Sequence, residues 1–168
     1  GTGQYVSSSD DGPIVIKSNT LTGDGISIEG SGYCIDGNTI SDLKQGIYIA
    51  ATSFNAGATP TSHIISNNVI TGSQTGIKVV SNADGNTITS NTIKDGKTGL
   101  KLSGSDNNII SGNTITNNTP ENFSVIGTSN GISLGTSHNN TIQNNQITGG
   151  IVGLEVNTSN DNIIDSNT

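Results

Sequence analysis

Hydrophobic positions in this chain recur in a short phrase rather than in long runs. Isoleucine stands at Ile16, Ile35, Ile65, Ile88, Ile110, Ile142 and Ile164, and three residues after each comes Asn19, Asn38, Asn68, Asn91, Asn113, Asn145 or Asn167. Two residues further on is Leu21, Ile40, Ile70, Ile93, Ile115 or Ile147. Each repeat then reaches a glycine and an apolar–x–apolar pair: Ile26/Ile28, Ile47/Ile49, Ile77/Val79, Leu100/Leu102, Ile132/Leu134 and Leu154/Val156. The asparagines are 19, 30, 23, 22, 32 and 22 residues apart, which gives a basic period of about 22 with two longer repeats. Alternation within short segments is the period of a strand, and no helical period accompanies it.

Short alternating strands with polar corners, repeated at this length, predict a parallel β-solenoid. Coils stack about 4.8 Å apart and set like residues above like. The apolar residues then fill columns of a core. Each asparagine occupies a corner, where its amide bonds to the next coil as in stacked asparagine ladders. Asparagine also tolerates the left-handed backbone that a sharp corner requires. A helical leucine-rich repeat is the rival at this period. The chain has 24 Ile against 6 Leu, and β-branched residues favour strands. The fold class is therefore all-β: a single domain over residues 1–168 with six to seven coils. Insertions are expected at about 50–63 ("AATSFNAGATPTSH") and 117–130 ("NNTPENFSVIGTSN"), each with one phenylalanine, Phe54 and Phe123. The chain is expected to be a piece of a longer β-helix or a unit that stacks end to end, since solenoids need capped ends.

Composition narrows the partners. The net charge is −7, with six lysines and no arginine, which disfavours nucleic acid as a partner. No apolar run has bilayer length, so no membrane insertion is expected, and no signal peptide is recognisable. The lone Cys34 forms no internal disulfide and lacks metal-ligand spacing, so neither a metal nor a cofactor is expected.

The columns "I-x-x-N-x-I" and "G-I-x-[ILV]" resemble the right-handed parallel β-helix repeats of the pectate-lyase-like superfamily, shared by mannuronan C5-epimerases, phage tailspikes and microbial surface β-helix proteins. The resemblance runs from Ile14 to Thr168. It implies a right-handed, single-stranded helix, and it leaves activity open, because one fold hosts lyases, hydrolases, epimerases and inert fibres. The epimerase Asp-Pro-His motif is absent: the prolines are Pro13, Pro60 and Pro120. The arginine base of the lyases is absent as well.

Hydrolysis would need a pair of carboxylates flanking the scissile bond. Asp36 and Asp165 share a column but stand five coils apart, and Asp84 with Asp106 is the one close pair. That pair reads as two solvated turn residues stabilising corners rather than as a metal or catalytic pair. His63 takes the place held by Asn86, Asn108, Asn140 and Asn162 in later coils, and His138 aligns with Asp106. Both are expected to be corner hydrogen-bonders. No catalytic set is assembled, and the reading leans away from an enzyme.

Function then falls to the outward columns. One column reads Ser27, Tyr48, Lys78, Lys101, Ser133 and Glu155. Tyr48, Lys78 and Lys101, with Lys94 and Lys97 nearby, form a basic patch suited to an acidic sugar. A solvated strand face, its lysines blocking edge association, is the plainer reading. A second face carries Thr20/Thr22, Thr39/Ser41, Val69/Thr71, Thr92/Lys94, Thr114/Thr116 and Gln146/Thr148, an imperfect form of the flat threonine arrays that bind ice. A third column of Val15, Cys34, Ile64, Thr87, Ile109, Thr141 and Ile163 suits packing against a second subunit, as in a trimer, or under a covering loop.

The expectation is an extracellular, cell-surface or virion-surface β-helix, non-catalytic, whose rigid scaffold contacts a polysaccharide or cell-surface glycan. Three alternatives stand beside it. One is part of a polysaccharide lyase, epimerase or depolymerase whose catalytic residues lie elsewhere. The others are a self-assembling structural surface protein and an ice-binding solenoid.

Overall fold

The computed structural model describes residues 14–23, 25–41, 44–50, 62–80, 82–116, 118 and 129–168, together with the backbone of residues 4–7. They form twenty short strands and no helix among the described residues. The strands fall into three sheets in which every pairing is parallel and every third strand is a neighbour. Sheet A has seven strands: β1 (Gln4–Ser7), β4 (Ile26–Glu29), β7 (Gln45–Ala50), β10 (Thr75–Val80), β13 (Thr98–Ser103), β16 (Asn130–Gly135) and β19 (Val152–Asn157). Sheet B has seven three-residue strands on the all-isoleucine column, from β2 (Val15–Lys17) to β20 (Ile163–Asp165). Sheet C has six, from β3 (Thr20–Thr22) to β18 (Gln146–Thr148). The chain is a parallel β-helix, with the columns expected from its repeats.

The apolar columns meet in one core. Isoleucines 35, 65, 88, 110 and 142 of sheet B and 40, 70, 93 and 115 of sheet C are buried, as are the paired apolar residues of sheet A from Ile26 to Leu134. Ile164, in the last of the sheet B strands, is 49% exposed.

The corner asparagines between sheets B and C form one continuous ladder from Asn19 to Asn167. Asn68 is representative. Its Nδ2 donates to Asn91 Oδ1 at 2.9 Å and to the Ile35 carbonyl at 3.0 Å, and its backbone N–H donates to the same Asn91 Oδ1 at 3.0 Å. Its own Oδ1 accepts the N–H and Nδ2 of Asn38, both at 2.9 Å. Every polar atom of this buried amide is thus satisfied, as a buried amide requires. Left-handed backbone falls elsewhere than expected. It belongs to the residue before each ladder asparagine: Ser18, Gly37, Asn67, Ser90, Gly112, Asn144 and Ser166. The ladder residue itself is kept for side-chain bonding.

A second ladder runs where sheet A turns into sheet B, through Asn86, Asn108, Asn140 and Asn162. His63 occupies its preceding rung, as its alignment predicts. The ring is fully buried and stacks on Tyr33 with centroids 5.3 Å apart. Nδ1 accepts the Tyr33 N–H at 3.2 Å, and the His63 N–H donates to Asn86 Oδ1 at 3.0 Å. Since Nδ1 accepts, the neutral ring carries its proton on Nε2. Burial lowers the His63 pKa to about 4. The Gly30 carbonyl opposes that shift, although Nε2 makes no hydrogen bond of good geometry.

Between sheets C and A the repeated glycine has a steric role. A Cβ at Gly46 would lie 2.5 Å from Ile70 Cγ2 and 2.6 Å from the Gly76 carbonyl oxygen, and one at Gly76 would lie 2.6 Å from the Gly99 oxygen. Those positions face inward, and so does the residue after each: Gly46 with Ile47, Gly76 with Ile77, and Gly99 with Leu100 are buried pairs. Strict alternation is broken at one point per coil. Its effect is to turn the residue before each glycine outward.

Three outcomes test this account. Asn91→Ala strands the donors of Asn68 and the carbonyl of Ile65, and should cost about 3 kcal/mol or more by urea denaturation. Asn19→Ala, at the partly exposed end of the ladder, should cost about 1 kcal/mol; equal losses would contradict a ladder that satisfies buried groups. Gly76→Ala should cost about 3 kcal/mol, the upper range for overpacking.

A further outcome concerns pH. The His63 pKa is depressed on folding, so its contribution is complete above about pH 6.5 and is lost as pH falls towards 4. Across that window His63 removes roughly 3 kcal/mol. His63→Asn, which continues the ladder, should flatten this limb of the stability–pH curve, and an unchanged limb would assign it to other groups.

Candidate functional site

Sheet A carries lysines side by side on the outer face of successive strands. Its central outward column is in register as the repeats predict: Ser27 beside Tyr48, Tyr48 beside Lys78, Lys78 beside Lys101, Lys101 beside Ser133, and Ser133 beside Glu155. Lys78 Nζ lies over the Tyr48 ring, 5.4 Å from its centroid, within cation–π range. The ammonium therefore shares the ring face that a sugar would stack against.

The glycine-induced break adds a second outward column, Gln45, Thr75, Thr98 and Asn130, three residues before the first. Where the columns run side by side they enclose a groove of about 270 Å³, lined by Gln74, Thr75, Lys97, Thr98, Lys101, Asn130, Ser133 and Glu155. Asn130 and Ser133 form its floor and are nearly inaccessible. The Glu155 carboxylate accepts from Ser133 Oγ at 3.0 Å and from Asn130 Nδ2. Asn157 first, then Ser133 and Asn130, hold its pKa below the usual carboxylate value, with a smaller contribution from the Lys101 charge; partial burial works the other way. Glu155 is thereby suited to remain ionised and to accept hydrogen bonds, and unsuited to donate a proton near neutral pH.

Of the five residues singled out from the sequence, Lys97 and Lys101 line the groove. Tyr48 and Lys78 continue its column towards the earlier coils. Lys94 does not belong with them. It stands on sheet C between Thr71 and Thr116, because a corner separates it from Lys97. The threonine pairs and the apolar stripe also fall in register, on sheets C and B, and Val15, Ile64, Ile109 and Ile163 of the stripe are exposed.

The second insertion is shorter than expected at its end, since Asn130 already opens β16. Phe54 and Phe123 lie outside the described residues. Asn130, Thr75 and Thr98 escape a reading based on strict alternation, which would turn them inward. The sequence signal that could have found them is the aligned glycine after each.

The acidic and histidine corners are structural. Asp84 Oδ1 accepts the Asp106 N–H and Asp106 Oδ1 accepts the His138 N–H, both at 2.7 Å, while His138 Nδ1 accepts the Asn160 N–H at 3.0 Å. Each side chain holds the backbone of the next coil. Among the described residues no cluster of three His, Cys, Asp or Glu side chains could hold a metal.

Comparison with known proteins agrees with the architecture. A crystal structure of the bacteriophage CBA120 tailspike protein 2 enzymatically active domain is similar, with a TM-score of 0.59 at 17% sequence identity. The match covers 90% of this chain and 33% of that one, so the chain spans about a third of the structure it resembles. At that identity the likeness concerns the fold. No curated protein sequence matches the chain. The family described as right handed beta helix region matches residues 2–168, and with its stacked parallel coils the chain belongs to that right-handed β-helix family.

Proposed function

We propose that this chain is a rigid scaffold whose sheet A face binds an acidic polysaccharide without cleaving it, at a cell or virion surface. The observation that carries the reading is the groove of Lys97 and Lys101 with Gln74, Thr75, Thr98, Asn130 and Ser133. It offers two ammonium groups for carboxylates and a row of amides and hydroxyls for sugar hydroxyls, on a backbone fixed by parallel pairing. The Lys78–Tyr48 pair extends the same face. Glu155 is the one carboxylate lining the groove among the described residues, and it is held ionised, whereas glycoside hydrolysis uses a pair with one partner protonated. The corner acids Asp84 and Asp106 are engaged by backbone N–H groups.

Electrophoretic mobility of a panel of acidic and neutral polysaccharides, after incubation with the purified chain, tests this. An acidic polymer should be retarded and recovered at full length. Lys78→Ala with Lys101→Ala should weaken retardation roughly fivefold to tenfold, as expected for two exposed charge contacts, and added salt should weaken it further. Shortened polymer would make the chain part of a depolymerase, and no retardation of any polymer would leave a structural fibre.

A further inference from the structure

The groove is polar along its length, and this deepens the polysaccharide reading on which it rests. Cations gather at its early end, where Lys97 lies in the corner before β13 and Lys101 within that strand. Acceptors gather two strands later, at Glu155 on β19. The Asn130 amide has a defined orientation. Its Nδ2 faces a carboxylate, which can only accept, so Oδ1 is the other side of the amide. That Oδ1 is buried and has no partner, in a residue only 4% exposed, and Asn130 lines the groove. A buried acceptor left without a donor is costly, and a ligand hydroxyl would satisfy it.

Lys101 and Glu155 form no ion pair with each other: Lys17–Asp36, on sheet B, is the one ion pair among the described residues. With strands about 4.8 Å apart, Lys101 and Glu155 are separated by roughly two strand spacings along the solenoid axis. A polymer lying along that axis therefore meets ammonium groups first and anionic or acceptor oxygens next. A sugar carboxylate is welcome at the first position and repelled at the second.

We infer that the groove selects a glycan in which an acidic sugar is followed by two neutral, hydroxyl-bearing ones, and discriminates against a uniformly acidic chain. A sugar unit spans about one strand spacing, so Lys97 and Lys101 receive the carboxylate, Asn130 Oδ1 on the next strand accepts a hydroxyl proton from the first neutral unit, and Glu155 one strand further accepts from the second. Because the two ends differ, the bound chain has one favoured direction.

Binding of three size-matched polymers to the whole chain tests this: deacylated gellan, in which one acidic sugar is followed by three neutral ones; polygalacturonate, uniformly acidic; and dextran, neutral, which should bind weakest. Gellan should bind about tenfold more tightly than polygalacturonate, the scale of one unfavourable like-charge contact. Glu155→Gln keeps an acceptor and removes the charge. It should bring polygalacturonate to within about threefold of gellan. Asn130→Ala should weaken gellan several-fold. Thermal unfolding of each variant separates these effects from loss of fold.

Equal binding of the two acidic polymers by the native chain, or an unchanged preference in Glu155→Gln, would overturn the selectivity and leave the acidic-glycan reading standing. Binding of no polymer by the native chain would overturn that reading, and the selectivity with it.

Discussion

The structure depends on hydrogen bonds made by asparagine side chains at its corners. A coil that turns sharply leaves backbone N–H and C=O groups without strand partners, and inside a stacked column they cannot reach water. The ladder from Asn19 to Asn167 meets that demand by giving each interior amide, from Asn38 to Asn145, at least two donations and two acceptances. Hydrophobic columns can then close over the corners without burying unpaired groups. The period of the sequence follows from this constraint, because an asparagine must arrive at the same corner on every turn.

The glycine of each coil makes the second structural decision. It brings the corner of sheet C against sheet A so closely that no side chain fits, and its neighbour across the strand is another glycine. In doing so it reverses the facing of the residue before it. A strictly alternating sheet A would turn the glycines outward in place of Gln45, Thr75, Thr98 and Asn130. The break gives that column side chains, and the groove exists because Asn130 and Thr98 stand beside Ser133 and Lys101. Binding geometry on this face is thus a by-product of close packing at the corner.

Much of this was legible in the residues themselves. The isoleucine and asparagine columns give the coils, their order and their register, down to the adjacency of Tyr48, Lys78 and Lys101. The identity of His63 as a ladder residue follows from its alignment with Asn86. What a hydropathy pattern does not record is the direction in which a glycine faces, since it has no side chain to be apolar or polar. Thr75, Thr98 and Asn130 were hidden for that reason. Lys94 was misplaced for a related one: closeness along the chain says little where a corner intervenes. The left-handed residues illustrate a further limit. Serine, glycine and asparagine share that position, and only the backbone shows that it precedes the ladder residue rather than coinciding with it.

The ladders also run in a single sense. In the sheets, hydrogen bonds pass in both directions between neighbouring coils: Ser18 donates forward to Asp36, and Thr39 donates back to Asn19. Their dipoles largely cancel. In both ladders every amide oxygen points back towards the preceding coil and receives its protons from there. Aligned amide dipoles polarise one another and add. The solenoid therefore has an axial dipole, negative towards its first coils and positive towards its last. Its two ends are electrostatically unlike even where their sequences repeat, much as the two ends of an α-helix are.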